Sequence, residues 1–551
     1  MRSIVAVAVA CTVACAIALA ACGGDDDPPP ASTGPAVEPG PNGCASLAGL
    51  SLERTEVLGV EWNAATSGVF AEPAHCKVQG VIDRRTGVDG VEYGIRFEVR
   101  LPDSWNGRFY FQGGFGTDGA LSPALGPFAL GGNALTEGYA VATTDAGHTS
   151  AGPEFGRDPK ARIDYGYVAL DQTTLRAKDL IGRYYGRAPE YSYLSGCSNG
   201  GRQGMVAAQR FPQYFDGILA GNPGFRLPQT ALSEAWNTQA VAEIATGVDA
   251  SGKPDLGSTF SDDDLRLLER GILDACDDRD GLADGIVYDF FACTFDPGAL
   301  ECAGAKTPDC LTAGQVSALR KIFGGPRSSR GEALYSDFPW DAGLTSPLAF
   351  RSWILGTPGT GGALNASLGA GALTYIFVTP PPATDDPLAY VLGFDFDVDA
   401  PKIFATSGEF SESSVSFMTA DSTSRDAFRE HGGKLLIYHG ASDAVFSVND
   451  TIRWWEALDA EEGGSAASFV RLFSVPGMGH CGSGGISTDR FDAFPALVDW
   501  VERGIAPDRI EATATAASPW PGRTRPLCPH PQQPRYRGSG SIESADSFDC
   551  R

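Results

Sequence analysis

Short apolar runs alternate with amphipathic stretches along most of the chain, and this alternation predicts its elements. Runs such as residues 434–438 and 470–475 are almost wholly apolar, as expected of strands buried on both faces. The predicted strands are residues 91–101, 108–112, 139–144, 191–194, 217–220, 434–438 and 470–475, and the predicted helices are residues 173–185, 202–210, 450–458 and 489–503. The pattern indicates an α/β fold with a mostly parallel sheet covered on both faces.

The pattern changes between residues 225 and 403. There, helix-prone stretches at residues 262–275 and 313–323 are separated by long loops rich in Gly, Pro and Ser. A chain of 551 residues also exceeds the size of one compact core. We therefore expect a core domain formed by residues 44–224 and 404–551, with residues 225–403 inserted into it as a lid domain.

The first 22 residues have the pattern of an export signal. Arg2 precedes an apolar run that ends in Leu19-Ala-Ala-Cys22, a sequence that resembles a bacterial lipobox. Residues 23–43, rich in Asp, Pro and Gly, are then predicted to form a disordered tether. We expect an exported protein that contacts a membrane only through a lipid on Cys22, and secretion with an unmodified Cys22 is the alternative.

The strongest chemical signal is Ser198, in the sequence Gly196-Cys-Ser198-Asn-Gly200. It lies between a predicted strand and a predicted helix. Glycines on both sides of a serine suit a sharp strand-to-helix turn, where a neighbouring Cβ would collide with the backbone. Such a turn exposes the serine hydroxyl as a nucleophile and aims the N–H of Asn199 at a developing oxyanion.

Two further residues complete a candidate catalytic triad. Asp443 follows the predicted strand at residues 434–438, and His480 lies in the glycine-rich loop after residues 470–475. The order Ser, Asp, His along the chain is that of α/β-hydrolases, and all three residues lie beyond the carboxyl ends of strands. Two alternatives remain open: His439 as the catalytic histidine, and Asp450, otherwise expected to cap a helix, as the acid.

These motifs resemble those of the tannase and feruloyl esterase family. The resemblance rests on Gly196-Cys-Ser-Asn-Gly-Gly-Arg202, His439-Gly-Ala-Ser-Asp443 and Gly477-Met-Gly-His480-Cys481. It implies an α/β-hydrolase core with a large inserted lid. It also implies a disulfide between Cys197 and Cys481, next to the nucleophile and the histidine. Ala441 departs from the pattern, because a bulkier residue often follows His-Gly in the family.

Cysteine usage agrees with an oxidising compartment. Three of the 13 cysteines lie in the export segment, which leaves 10, an even number. Family resemblance and local spacing favour the pairs Cys44 with Cys76, Cys197 with Cys481, Cys276 with Cys293, Cys302 with Cys310, and Cys528 with Cys550. A formal net charge of −26 argues against nucleic acid as a partner, because phosphate binding needs clustered Lys and Arg.

An acidic turn in the lid domain is a candidate calcium site. Its sequence, Cys276-Asp277-Asp-Arg-Asp280-Gly-Leu282-Ala-Asp284-Gly-Ile286, spaces carboxylates along a glycine-interrupted loop, as a hard cation with oxygen ligands requires. The resemblance implies a structural Ca²⁺ bound by the side chains of Asp277, Asp280 and Asp284 and the carbonyls of Leu282 and Ile286. A solvated acidic turn without an ion is the alternative.

The oxyanion site needs a second backbone donor from a loop after an early strand. Residues 113–116, Gly-Gly-Phe-Gly, follow the predicted strand at residues 108–112. We expect the N–H of Gly114 to be this donor, with the N–H of Gly113 as the alternative. A second alternative is that these glycines only form a tight turn and have no role in the oxyanion site.

The resemblance implies a serine esterase that forms an acyl-enzyme on esters of aromatic acids, as feruloyl esterases and tannases do. Mono(2-hydroxyethyl) terephthalate-like monoesters are an alternative substrate class. A serine peptidase is chemically possible with the same triad, and a non-catalytic lipoprotein that binds calcium or another ligand is the alternative from another class. The sequence leaves the natural ester and the oligomeric state open.

Overall fold

A computed structural model describes residues 38–68, 71–482 and 484–551. The predicted signal peptide, Cys22 and most of the predicted tether lie outside these residues. Residues 41–43, the last three of the predicted tether, belong to the helix Pro41–Ser46. Within the described ranges, no helix is both long and apolar enough to cross a membrane.

The core is a nine-stranded sheet with the strand order β1-β2-β3-β5-β4-β6-β7-β8-β9. Its strands are β1 (Thr55–Asn63), β2 (His75–Thr86), β3 (Glu92–Pro102), β4 (Arg108–Gln112), β5 (Ala140–Thr144), β6 (Tyr191–Cys197), β7 (Gly217–Gly221), β8 (Lys434–Gly440) and β9 (Val470–Val475). The five pairings from β5 to β9 are parallel, as predicted. The three pairings among β1, β2, β3 and β5 are antiparallel, and the sequence did not predict β1 or β2.

Both faces of the sheet are buried against apolar layers. Phe109 and Phe111 of β4 point into one hydrophobic cluster, whereas Tyr110 between them points into the other. Leu436 of β8 is likewise on the opposite side from its two neighbours. Alternation across the pleat with apolar residues on both sides explains why the parallel strands are continuous apolar runs in the sequence.

Helices of ten or more residues cover the sheet and form much of the insertion. They are α1 (Ala169–Tyr185), α2 (Asn199–Arg210), α3 (Leu227–Ala242), α4 (Asp262–Cys276), α5 (Ala313–Phe323), α6 (Val448–Glu461) and α7 (Phe494–Arg503). The helix predicted from residue 489 begins at Phe494 instead. Asp492 accepts a hydrogen bond from the Phe494 N–H there, and Pro495, which lacks an N–H, suits the first turn.

Residues 225–403 leave the sheet after β7 and return before β8, and no described strand of the sheet comes from them. They contain α3, α4, α5 and several shorter helices. After the core, the chain ends in two small antiparallel ribbons, which are β10 (Ile510–Thr513) with β11 (Thr524–Leu527) and β12 (Pro534–Tyr536) with β13 (Phe548–Cys550).

Arg162 joins the core to the insertion through a buried guanidinium group. It donates to the carbonyls of Gly156, Tyr375 and Val378 and to the hydroxyl of Thr379. Its side chain is almost fully buried, and burial lowers its pKa to about 9. Because four acceptors depend on this single cation, Arg162 fixes the position of the lid segment at residues 375–379.

We expect Arg162→Leu to lower the free energy of unfolding by about 3 kcal/mol, because it leaves several buried acceptors without a donor. Denaturant unfolding of the purified protein measures this change. Arg330→Leu, which removes an exposed pair with Glu332, is the control and should cost less than about 1 kcal/mol. Equal effects of the two substitutions would contradict the assigned role of Arg162.

Candidate active site

Ser198 occupies a sharp turn between β6 and α2. Its backbone has φ 62° and ψ −121°, a conformation that residues with a Cβ rarely adopt. A Cβ added at Gly196 would lie 2.7 Å from the Cα of Gly200, and one added at Gly200 would lie 2.8 Å from the carbonyl oxygen of Gly114. The two glycines are therefore needed for the close backbone approach that the sequence pattern predicted.

The structure brings Ser198, His480 and Asp443 together in one hydrogen-bonded line. Ser198 Oγ lies 2.8 Å from His480 Nε2, and His480 Nδ1 lies 2.9 Å from Asp443 Oδ2. Asp443 follows β8 and His480 follows β9, so adjacent parallel strands place both at the same edge of the sheet. This is the geometry in which a histidine removes the serine proton and a carboxylate orients the imidazole.

Asp443 is a buried carboxylate with several donors. The backbone N–H groups of Val445 and Phe446 donate to Oδ1 at 2.9 and 3.1 Å, and the side-chain amide of Asn222 donates to Oδ2 at 2.6 Å. Burial alone would raise its pKa strongly, but the charges and hydrogen bonds of His480 and His439 together outweigh burial and hold the pKa of Asp443 well below its usual range. Asn222, at the end of β7, was missed because no motif marks it.

The two alternatives to the triad have structural roles. His439 is fully buried, and its ring nitrogens lie 2.9 Å from Thr451 Oγ1 and 3.0 Å from the Phe446 carbonyl oxygen. Asp450 accepts a hydrogen bond from Arg226 at 2.8 Å. It does not cap the helix as expected, because α6 begins at Val448 and Ser447 occupies the cap position.

The lid packs directly against His480. The indole ring of Trp353 and the phenyl ring of Phe446 approach the imidazole edge-on, with centroids 5.0 and 5.2 Å away. The backbone N–H of His480 donates to the carbonyl oxygen of Leu348 at 3.0 Å. Trp353 and Leu348 both belong to residues 225–403, so the insertion helps to position the histidine.

Asp341, another lid residue that the sequence did not single out, links the two core loops. Its carboxylate accepts from the backbone N–H of Gly477 at 2.8 Å, in the histidine loop, and from the hydroxyl of Ser442, next to the triad acid. The side chain is 1% exposed, and this burial raises its pKa. A single lid carboxyl group therefore braces both the acid loop and the histidine loop.

All five cysteine pairs expected from the sequence are present as disulfides. The bond between Cys197 and Cys481 joins residues 284 positions apart, and each cysteine is adjacent to a triad residue. In the chain-entropy model a loop of this length corresponds to about 5–6 kcal/mol of stabilisation. Its local effect is to tie the nucleophile turn to the histidine loop.

The glycine loop after β4 differs from the prediction in its hydrogen bonding. The N–H of Gly114 donates to the side-chain oxygen of Gln203 at 2.9 Å, and the N–H of Gly113 donates to the Ser195 carbonyl at 2.9 Å. The N–H groups of both glycines are therefore engaged in this structure. The loop is held to α2 at a second point, because Asp118 accepts a hydrogen bond from the side chain of Asn199.

A cleft of about 770 Å³ opens beside Ser198 and His480. Its wall includes the aromatic residues Phe115, Phe128, Trp353, Phe377, Phe446 and Phe491. Other lid aromatics pack among themselves instead, for example Trp236 against Phe396 and Trp340 against Phe323. The cleft can hold an aromatic group next to the nucleophile.

The predicted calcium turn has an oxygen-rich donor set. Burial, together with the nearby carboxylates of Asp284 and Asp277, raises the pKa of Asp280 to about 6. Carboxylate oxygens fit a hard cation by chemical type. Their oxygens accept other hydrogen bonds here, Asp277 from the Gly285 N–H and Asp284 from the guanidinium of Arg525. Among the described residues, no three acidic, His or Cys side chains are arranged as a metal cluster.

Comparison with known proteins agrees with this geometry. The family described as "Tannase and feruloyl esterase" matches residues 76–551. A mono(2-hydroxyethyl) terephthalate hydrolase of Piscinibacter sakaiensis is 47% identical, over 88% of this chain and 86% of the relative. A probable feruloyl esterase of Arthroderma benhamiae is 32% identical, over 82% of this chain and 81% of the relative.

Solved structures show the same fold. Feruloyl esterase B from Aspergillus oryzae matches with a TM-score of 0.73 at 24% identity, over 93% of this chain and 99% of that chain. Tannin acyl hydrolase from Aspergillus niger matches with a TM-score of 0.67 at 22% identity, over 91% of this chain and 92% of that chain. The fold is therefore that of an α/β-hydrolase with a large insertion, and the chain belongs to the tannase and feruloyl esterase family of carboxylic ester hydrolases.

Proposed function

We propose that this esterase hydrolyses esters of aromatic acids through a covalent acyl-enzyme on Ser198. The single observation that carries the proposal is the hydrogen-bonded line from Ser198 through His480 to Asp443, at the wall of an aromatic cleft. Family membership supports ester chemistry, and the names of the relatives point to aromatic acyl groups.

In the first half of the reaction, Ser198 Oγ attacks the ester carbonyl while His480 Nε2 takes its proton. Asp443 keeps the imidazole oriented and stabilises the imidazolium that forms. The tetrahedral intermediate then collapses, and His480 donates the proton to the leaving alcohol. In the second half, water activated by His480 attacks the acyl-enzyme and releases the acid and free Ser198.

The negative oxygen of the tetrahedral intermediate needs backbone donors. We assign one to the N–H of Asn199, the first residue of α2. The second comes from the Phe115–Gly116 part of the glycine loop. Asn199, Phe115 and Gly116 all line the cleft, and among the described residues none of their backbone N–H groups has a hydrogen-bond partner, in contrast to Gly113 and Gly114.

Five disulfides support a site of action in an oxidising compartment, in agreement with the predicted signal peptide. Attachment through a lipid on Cys22 is part of this proposal. Mass spectrometry of the protein extracted from membranes of the native host distinguishes a lipidated Cys22 from a free N-terminus.

We expect Ser198→Ala and His480→Ala each to lower kcat/KM for p-nitrophenyl acetate by at least about 10⁴-fold, because each removes a group that acts in the transition state. Initial-rate kinetics measures the loss. His431→Ala, at an exposed histidine that pairs with Asp216 away from the triad, is the control and should stay within about twofold of the unmodified protein.

If the unmodified protein hydrolyses p-nitrophenyl acetate no faster than Ser198→Ala, the non-catalytic lipoprotein that binds calcium or another ligand would be favoured instead. Cleavage of peptides without cleavage of esters would favour a peptidase.

We also expect the double variant Cys197→Ser/Cys481→Ser to lose about 10- to 100-fold in kcat/KM, because the distance between the nucleophile turn and the histidine loop is no longer fixed. Initial rates on p-nitrophenyl acetate measure the loss. The double variant Cys302→Ser/Cys310→Ser, which opens a disulfide with a sequence separation of only 8 in the lid, is the control and should retain kcat. Equal activities of the two double variants would argue against a positioning role for Cys197–Cys481.

Calcium at Asp277, Asp280 and Asp284 is the structural part of the proposal. Ca²⁺ would displace the present hydrogen bonds of these carboxylates, with the carbonyls of Leu282 and Ile286 as further ligands. We expect millimolar Ca²⁺ to raise the thermal midpoint of chelator-treated protein by about 3 °C, as binding to the folded state alone requires. Differential scanning fluorimetry measures the shift, and it should disappear in Asp277→Asn/Asp280→Asn. An unchanged midpoint in the unmodified protein contradicts the calcium site.

A further inference from the structure

One carboxyl group on the wall of the cleft takes no part in the mechanism. Glu234 lies on α3, lines the cleft together with Ser198, and is 5% exposed. Among the described residues, no side chain or backbone N–H donates to its carboxyl group, and no cation pairs with it. A buried polar group without a partner costs free energy unless a ligand or water satisfies it.

The surroundings of Glu234 show that the structure makes room for this carboxyl group. Leu227 also lines the cleft, and it lies seven positions earlier on the same face of α3. Gly369 lies opposite α3 and close to this side chain. A Cβ added at Gly369 would lie only 2.7 Å from the carboxyl carbon of Glu234, so a glycine leaves the space that the carboxyl group occupies. The carboxyl group is thus enclosed between two lid segments, with its remaining exposure towards the cleft.

The cleft offers no free positive charge. Among the described residues that line it, Arg202 is the only Lys or Arg. Its guanidinium group is fully buried and donates to Asn199 Oδ1 at 2.7 Å, to the Gly166 carbonyl at 2.7 Å and to the Tyr165 carbonyl at 3.0 Å. The acidic residues Asp489 and Asp492 line the same cleft.

An acyl group that carries a free carboxylate in addition to its ester, as a terephthalate monoester does, therefore finds no counter-ion in this cleft. Leaving a carboxylate unpaired in a desolvated cleft is strongly unfavourable.

From this arrangement we propose that Glu234 is a specificity residue that binds the ring hydroxyl of an uncharged, phenolic acyl group. The inference rests on the proposed esterase function and chooses between its substrate classes. It favours hydroxylated aromatic acids, such as ferulic and gallic acid, over terephthalate monoesters, although one relative is named for such a monoester.

The protonation state of Glu234 agrees with this role. Burial raises the pKa of Glu234 to about 8, and no charged neighbour opposes the shift. At neutral pH the side chain is then mostly a carboxylic acid, which can both donate a hydrogen bond to a phenol oxygen and accept one from its hydroxyl group. Tyr165 is a nearby titratable group, and burial likewise keeps it neutral by raising its pKa.

The test compares kcat/KM on methyl ferulate, methyl cinnamate and mono(2-hydroxyethyl) terephthalate. Methyl cinnamate lacks the ring oxygens, and the terephthalate monoester carries a charge. For the unmodified protein we expect methyl ferulate to be favoured at least tenfold over methyl cinnamate and at least 100-fold over the monoester. A preference for the monoester would overturn the proposal.

Two variants assign the preference to Glu234. Glu234→Leu should lower the ferulate-to-cinnamate ratio at least tenfold, mainly through KM for ferulate, whereas the neutral amide in Glu234→Gln should keep most of the ratio. Equal losses on both esters in Glu234→Leu would show a merely structural role and overturn the proposal. Hydrolysis of p-nitrophenyl acetate by the unmodified protein separates the two levels of failure: if it is present, only the role of Glu234 is lost, and if it is absent, the esterase function fails as well.

Discussion

The negative charge of Asp443, buried at the edge of the sheet, is the interaction on which the rest of the site depends. Four donors from three parts of the chain satisfy this carboxylate: Asn222 at the end of β7, the two backbone N–H groups before α6, and the ring of His480 after β9. Each donor offsets part of the desolvation of the charge. The same contacts fix the loops that hold the acid and the histidine, so electrostatics and geometry are satisfied together.

The insertion contributes contacts to the candidate active site and is not only a cover for it. Asp341 joins the acid and histidine loops, Leu348 accepts from the His480 backbone, and Trp353 packs against its ring. Residues that line the cleft and residues that contact the histidine loop therefore lie on the same insertion.

Sequence reasoning found the elements whose signal is local. Strands buried on both faces are continuous apolar runs, and the glycines around Ser198 are needed for one strained turn, so both could be recognised without coordinates. It missed β1 and β2, whose exposed and buried positions are mixed in an antiparallel edge. It also missed Asn222 and Asp341, because their roles depend on neighbours more than one hundred positions away. The hydrogen bond from the Gly114 N–H to Gln203, a residue of another element, could not be recognised in the sequence either.

The disulfide beside the triad forms only where the protein meets oxidising conditions. The nucleophile turn and the histidine loop are far apart in sequence. Their cysteines, Cys197 and Cys481, are 284 positions apart, and the disulfide between them joins the two loops. While the thiols remain reduced, as in a bacterial cytoplasm, that link is missing. The nucleophile turn and the histidine loop are then joined only by non-covalent contacts, such as the hydrogen bond between Ser198 and His480.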